Sequence, residues 1–473
     1  EFVDANPQNG IPDAWASLHP NGQLEQYEAG ESDVPKIVIT EIMYHPEKSA
    51  VSESKEFIEL YNAEQRSVDL SGWLFDEGIT FVFPSGTYIA AGEYLVVVAD
   101  KEAFASLFDT DEDVPRVLGN WTRDLSNSGE KIQLLSDRGF TVDEVTYSDQ
   151  GEWAVRKESQ PYAGPGSLSF TGWEWDDAHD GGGKSLELVN AGADNAFGQN
   201  WKASVVNGGT PGEANDVQIA DQNLAPIITE VKHDPAIPTA GQAVKITARI
   251  IGQQAEGSLS AYVQYHVDGQ LGPFQPYVMY DDGVLGGDVT ANDHIYTATI
   301  SAPADHAVVE FYISVARYAW PINPSVRTWP AQVWTSSGWA QIANCQYQVL
   351  NSGSGYESRP GASPVYMLVM TEAERVKLDS IGLYDNSGYQ IDAQVNATFI
   401  SEDTEGVKVR YNVGVNNRGY GSRSRYANDG ANNYQIHFKH DREWNDVEKL
   451  TLNCRTPQSQ IIAARLYAEA GLQ

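Results

Sequence analysis

A two-residue alternation of apolar and polar side chains, cut at short intervals by glycine and proline, limits this chain more than any other feature. Val244, Ile246, Ala248 and Ile250 interleave with Lys245, Thr247 and Arg249, and that period belongs to a strand buried on one face. It recurs at Val309, Phe311, Ile313 and Val315, at Ala393, Val395, Ala397 and Phe399, and at Val407, Val409, Tyr411 and Val413. The 42 Gly and 22 Pro supply the positive or fixed φ angles that turns between short antiparallel strands need. No sustained alternation of strand and helix patterns is present. At roughly 150 residues per domain, the 473 residues make about three domains, most of the chain being antiparallel β.

Helical periodicity is confined to short stretches. Thr371 and Glu374 have capping-box spacing ahead of Val376, Leu378 and Ile381, which predicts a helix over 371–381. Ile461, Ile462, Arg465, Leu466 and Glu469 form one face of a second helix, from Ser459 to Ala470, with Gly471 at its C-cap position. The turn-rich stretches 207–222 and 351–364 mark seams, so the last segment reads as α+β.

Charge narrows the function. With 65 Asp and Glu against 31 Lys and Arg, the net charge of −34 excludes bulk attraction to nucleic acid or anionic lipid and favours cations. The excess is uneven, since residues 405–473 hold ten Lys and Arg against seven Asp and Glu. A hydrophobic content of 41% with 12 Trp and 24 Tyr is that of a folded protein rather than an acidic disordered chain. No run approaches the roughly 18 apolar residues of a membrane span. The N-terminal Glu1-Phe2-Val3-Asp4 lacks a signal-peptide pattern, which leaves a cytosolic protein or one whose signal has been removed. Cys345 and Cys454 leave one bridge open as a possibility and rule out a disulfide scaffold.

Three clusters carry candidate chemistry. Asp281, Asp282, Asp288 and Asp293 crowd four carboxylates into thirteen residues, with Gly283, Gly286 and Gly287 letting the loop fold back. Calcium would relieve their repulsion, and a solvated hairpin whose carboxylates cap backbone N–H groups is the alternative. Trp320, Trp329, Trp334 and Trp339 suit contact with a partner or a glycan, or packing at a domain edge. Arg418, Arg423, Arg425 and Lys439 form a basic patch suited to phosphate, acidic polysaccharide or an acidic neighbour. Other motifs carry less. The GGGKS of 181–185 lacks the first P-loop glycine and a parallel-sheet context, and Asp176, Asp177, His179 and Asp180 read as a solvated turn. Asp109, Asp111 and Asp113 start like an EF-hand but have Val114 where the bend needs Gly. No HExxH, GxSxG or paired CxxC occurs, so metallopeptidase, α/β-hydrolase and zinc readings lack support.

ITEIMYHP (39–46), EFIELYN (56–62), VDLSGW (68–73), FVFPSGTYIAAGEYLVVVAD (81–100) and LSNSGEKIQLL (125–135) resemble a lamin-tail domain of the bacterial, secreted type over residues 36–215. That resemblance implies an immunoglobulin-like β-sandwich that binds or spaces, in an extracellular or envelope setting. Residues 223–350 read as a second sandwich, whose YDDGVLGGDVTANDHIYTATI (280–300) resembles an Asp-rich loop of Ig-like modules in bacterial surface proteins. DANPQNGIPDAW (4–15), within a linker over 1–35, resembles the calcium-binding repeats between such domains and implies Asn9 and Asp13 as ligands.

PVYMLVMTEAERVKLDSIG, DAQVNATFI, VKVRYNVGVNNRGYGSR and NNYQIHF resemble the N-terminal part of the spore-coat-protein-H-like (CotH) family of atypical secreted kinases, over 364–473. That family carries Lys where this chain has Asn432-Asn433, and a neutral amide cannot hold nucleotide phosphates. Its acidic catalytic residues correspond to sequence beyond Gln473.

The expected fold is mainly β, with tandem immunoglobulin-like β-sandwiches followed by a smaller α+β CotH-like module. The leading reading is a secreted or cell-surface bacterial protein of structural, adhesive or assembly function. Calcium stiffens it, and it associates with itself or another protein through charge. The second reading is a divergent kinase binding ATP near Arg418, Ser422 and Arg425, and a third is a glycan-binding module using the Trp-rich segment.

Overall fold

A computed structural model describes residues 34–47, 55–106, 116–159, 162–163, 169–170, 172–220, 224–253, 258–319, 322–351, 365–380, 394–403, 406–417 and 433–452. The fold is mainly β, as the alternation requires, and divides into two compact units. Residues 1–154 and 176–224 make the first, and 155–175 with 225–473 make the second. The second unit therefore takes together the stretches expected as separate domains at 223–350 and 364–473. It also takes 155–175 out of the span expected for the first sandwich.

In the first unit, a six-stranded sheet runs in the order Trp201–Ala203, Leu186–Leu188, Ile37–Met43, Phe57–Asn62, Tyr94–Val98 and Val117–Leu118. A four-stranded sheet, Thr141–Thr146, Lys131–Leu135, Leu74–Glu77 and Phe81–Val82, shares one core with it. Ile39, Ile58, Leu60 and Val97 meet Phe75, Ile132, Leu134 and Val145 there, and Trp73 lies among them. This is a β-sandwich with apolar inner faces. The outer side of the larger sheet is not solvated throughout. Met43, Phe57, Val96 and Val98 pack on Phe104 of a short helix, Lys101–Ala105, whose N-cap Asp100 accepts hydrogen bonds from the Glu102 and Ala103 amides.

Three glutamates lie side by side in this sheet. Glu41 pairs in register with Glu59 on one side and Glu187 on the other, and all three are fully buried. The segment 204–217 closes over them. Thr210 N–H donates to Glu41 at 3.0 Å, Gly212 N–H to Glu59 at 2.7 Å and Thr210 Oγ1 to Glu187 at 2.9 Å. The carboxylates thus anchor the closing loop.

The second unit contains another sandwich. One sheet is Ile227–Asp234, Ala243–Ile251 and Ile295–Ser301. The other is Gln275–Met279, Ser258–Val267, Val308–Ala319 and Ile322–Trp329, with Cys345–Gln348 also paired to Val308–Ala319. Val244, Ile246, Ala248, Ile250, Val309, Phe311, Ile313 and Val315 all face its core, as their alternation predicts.

A five-stranded antiparallel sheet follows: Val365–Val369, Val395–Asp403, Gly406–Asn417, Tyr434–His437 and Lys449–Leu452. Phe399 is buried between Phe438, Trp444 and Tyr366. The expected helix spans Glu372–Ser380, and the Glu374 N–H donates to Thr371 Oγ1 at 3.2 Å. The capping box is half made, because the Glu374 carboxylate accepts from Asn396 N–H at 3.3 Å. Ile381, the helix expected over Ser459–Ala470 and Cys454 lie outside the described residues. Cys345 is a buried free thiol.

A small fourth sheet, in the order Trp173–Trp175, Arg156–Glu158, Val333–Thr335 and Gly338–Ala340, explains why 155–175 joins this unit. Lys157 pairs in parallel with Trp334, and buried Arg156 donates to Asn396 Oδ1 at 3.3 Å. Asn396 and Asn412 in turn donate to the Asn344 and Ala343 carbonyls, at 2.9 and 2.8 Å. A buried polar group needs such partners, and these amides stitch the five-stranded sheet to the loop before Cys345.

Candidate anion-binding pocket

Within the second unit, a cavity of about 290 Å³ is lined by Arg410, Lys439 and Arg442 together with Trp329, Tyr411 and the valines 231, 409 and 413. Alternation along Gly406–Asn417 places Arg410 one residue before Tyr411, so the chain brings a cation to the rim and a phenol ring toward the core. The Arg410 Nε donates to the Glu443 carbonyl at 2.9 Å and its Nη1 to the Val409 carbonyl at 3.2 Å, which fixes the guanidinium. Burial first, then the Arg442 cation, lowers its pKa from the usual arginine value. Arg442 lies over the buried Trp329 ring, 4.9 Å from its centroid, a cation–π arrangement that orients it.

The floor is rigid and neutral. Tyr411 OH accepts from the His233 N–H at 3.0 Å and meets His233 Nδ1, while His233 Nε2 faces the Ala236 carbonyl at 2.9 Å. These partners assign the imidazole proton to Nε2 and the phenol proton toward Nδ1. His233 stacks on Tyr347 at 4.9 Å, and burial lowers its pKa to about 4, so it adds no charge at neutral pH. Two guanidiniums and an ammonium around an aromatic floor suit an anionic group, arginine offering a planar fork to carboxylate or phosphate.

The sequence pointed to only part of this. Lys439 was expected in a basic patch, but its companions Arg418, Arg423 and Arg425, with Ser422, lie outside the described residues. Arg410 and Arg442 were missed. Arg410 fills a polar position of a strand pattern and Arg442 sits in a turn, so only the excess of cations after residue 404 signalled them.

The tryptophans divide. Trp329 is core at 4% exposure, whereas Trp334 and Trp339 are 48% and 54% exposed and face each other at 5.2 Å between ring centroids. Trp320 lies outside the described residues.

In the Asp-rich loop each carboxylate caps amides. Asp281 accepts from Asp293 and His294 N–H, Asp282 from Val284 and Leu285 N–H, Asp288 from Gly283 and Val289 N–H, and Asp293 from Ile295 N–H. Gly286, at φ 63°, is required where a Cβ would lie 2.4 Å from the Thr297 carbonyl oxygen. Among the described residues no group of three or more His, Cys, Asp or Glu side chains is arranged to hold a metal ion. Asn9, Asp13, Asp109, Asp111 and Asp113 lie outside those residues. In the first unit, the 176–180 turn is held by Tyr44 OH with His179 Nδ1 at 2.8 Å and by His45 with Asp180. The GGGKS stretch continues that turn, with Lys184 N–H donating to the Ala178 carbonyl at 3.0 Å.

No helix among the described residues is long and apolar enough to cross a membrane. Comparison with curated proteins finds none that matches the chain. Residues 31–149 match the family model of the Lamin Tail Domain, a structural and interaction module of immunoglobulin-like fold, and strands Leu186–Leu188 and Trp201–Ala203 complete its larger sheet from beyond the matched stretch.

Proposed function

We propose that this chain is a secreted or cell-surface structural protein of bacterial type that assembles through charge, its cationic pocket receiving acidic side chains of a second copy. The observation that carries the reading is the pocket of Arg410, Lys439 and Arg442 in a chain of net charge −34. A surface so acidic offers carboxylates in abundance, and a cavity with three cations and a cation–π anchor is where they are best received. The lamin-tail match over 31–149 supports a scaffold rather than a catalyst. A contact between a pocket and a different surface is heterologous, so it builds a ring if the rotation closes and a filament if it does not.

Sedimentation velocity on the full chain tests this. Association is expected at moderate ionic strength and is lost toward roughly 1 M salt, where the Debye length falls to about 3 Å. Arg442→Glu is expected to leave a folded monomer. A wild-type chain that stays monomeric at every concentration, or an Arg442→Glu variant that associates as well as wild type, refutes the reading.

A further inference from the structure

We propose that the outer face of the small four-stranded sheet is a carbohydrate platform for neutral pyranosides. Register places four side chains in one row across it: Trp339 opposite Trp334, Trp334 beside Lys157, and Lys157 opposite Glu174. Paired residues on neighbouring strands project to the same face. The other face is interior, with Trp173 at 4% and Val333 at 0% exposure in a small core. The outer face holds the two indoles at 48% and 54% exposure, at positions where a strand ordinarily places polar residues.

The occupant follows from size and charge. Three-residue strands at about 3.3 Å per residue and four strands about 4.8 Å apart give a face of roughly 200 Å². That is about a quarter of the roughly 800 Å² per partner in a standard protein interface. It suits a ligand of two or three sugar rings. The indole planes meet at 72° with centroids 5.2 Å apart, forming an open corner in which the C–H face of a pyranose stacks on one ring against the edge of the other. Beside them Lys157 Nζ lies 3.8 Å from Glu174 Oε1, giving hydroxyl groups one donor and one acceptor with no net charge. A row balanced in this way, on a chain of −34, favours a neutral glycan over a polyanionic one.

The test presents the full chain to a panel of neutral and acidic oligosaccharides and follows tryptophan fluorescence. Neutral glycans are expected to bind, with Trp334→Ala and Trp339→Ala each weakening binding about thirtyfold, the scale of an interface hot spot. Trp339→Tyr, which keeps an aromatic plane, is expected to retain binding, as is Arg442→Glu, which separates this face from assembly through the pocket. Binding by no neutral glycan, binding only to acidic ones, or binding unchanged in both alanine variants overturns the proposal.

Discussion

Glu59→Gln is expected to stabilise the first unit at alkaline pH and to leave it nearly unchanged in mild acid. Burial pushes the Glu59 carboxyl from 4.5 up to about 8, opposed by hydrogen bonds from the Gly212 amide and Thr40 hydroxyl and reinforced by Glu187. Burial likewise raises Glu187 to about 7. It also raises Glu41, which Glu59 and Glu187 push further. A carboxyl whose folded pKa exceeds its unfolded one binds its proton more tightly when folded. Its stabilisation is complete below pH 4.5 and is lost as pH rises through 8. A shift of that size in Glu59 corresponds to about 5 kcal/mol at 1.36 kcal/mol per unit, a ceiling that loop opening and water entry reduce to about 2–3 kcal/mol.

Glutamine keeps the local bonds. Its oxygen accepts from the Gly212 N–H, 2.7 Å away, and its amino group donates to the Thr40 hydroxyl, now 2.8 Å from the carboxylate. Because the chain holds two units and need not unfold in one step, the assay is native-state hydrogen exchange at Leu60 and Val97, corrected for intrinsic rates. Wild-type opening free energy should fall by a few kcal/mol from pH 5 to 9, and the variant's fall should be smaller by about 2–3 kcal/mol. Wild-type stability that is flat or rising over that range, or a variant that tracks it at every pH, refutes the account of the buried row.

Two further outcomes follow from the second unit. Phe399→Ala removes the ring at the centre of the Tyr366, Phe438 and Trp444 cluster. It should cost about 3–5 kcal/mol, read as early loss of exchange protection in the five-stranded sheet while the first unit's amides keep theirs. Chelation by EDTA should leave the exchange protection of the Gly283, Leu285, His294 and Ile295 amides unchanged, because the carboxylates of Asp288, Asp282, Asp281 and Asp293 accept those amides. A calcium-reversible fall in that protection would show that the loop takes up an ion, as the carboxylate spacing suggests.

What the sequence discloses and what it withholds follow from how local each signal is. The strand Ala243–Ile251 is legible because its period is local and both layers of its sandwich exist, so Val244 and Ile250 are buried together. The same period at Val407 leaves that side chain 48% exposed, since alternation shows that a strand has an apolar side and not whether a second layer covers it. The Asp-rich loop shows a related limit. Four carboxylates in thirteen residues are visible as charge, but whether amides or a cation satisfy them depends on where the N–H groups point, and that is set by turns at Gly283, Gly286 and Gly287.

Pairing between distant segments is the least legible of all. Lys157 finds Trp334 across most of the second sandwich, and no local pattern sets 155–175 apart from the strands around it. The pocket is assembled in the same way: Trp329 ends one strand, Arg410 lies on another and Arg442 sits in a turn. The cations are readable one by one, as an excess after residue 404, yet the property that matters is their convergence on an aromatic floor. Convergence belongs to topology. Glu41, Glu59 and Glu187 carry the complementary lesson, because each interrupts an apolar run, in ITEIM, FIELY and SLELV. Any one of them reads as an ordinary polar position, and only the register that lines them up turns three unremarkable residues into a buried charge that opposes folding at high pH.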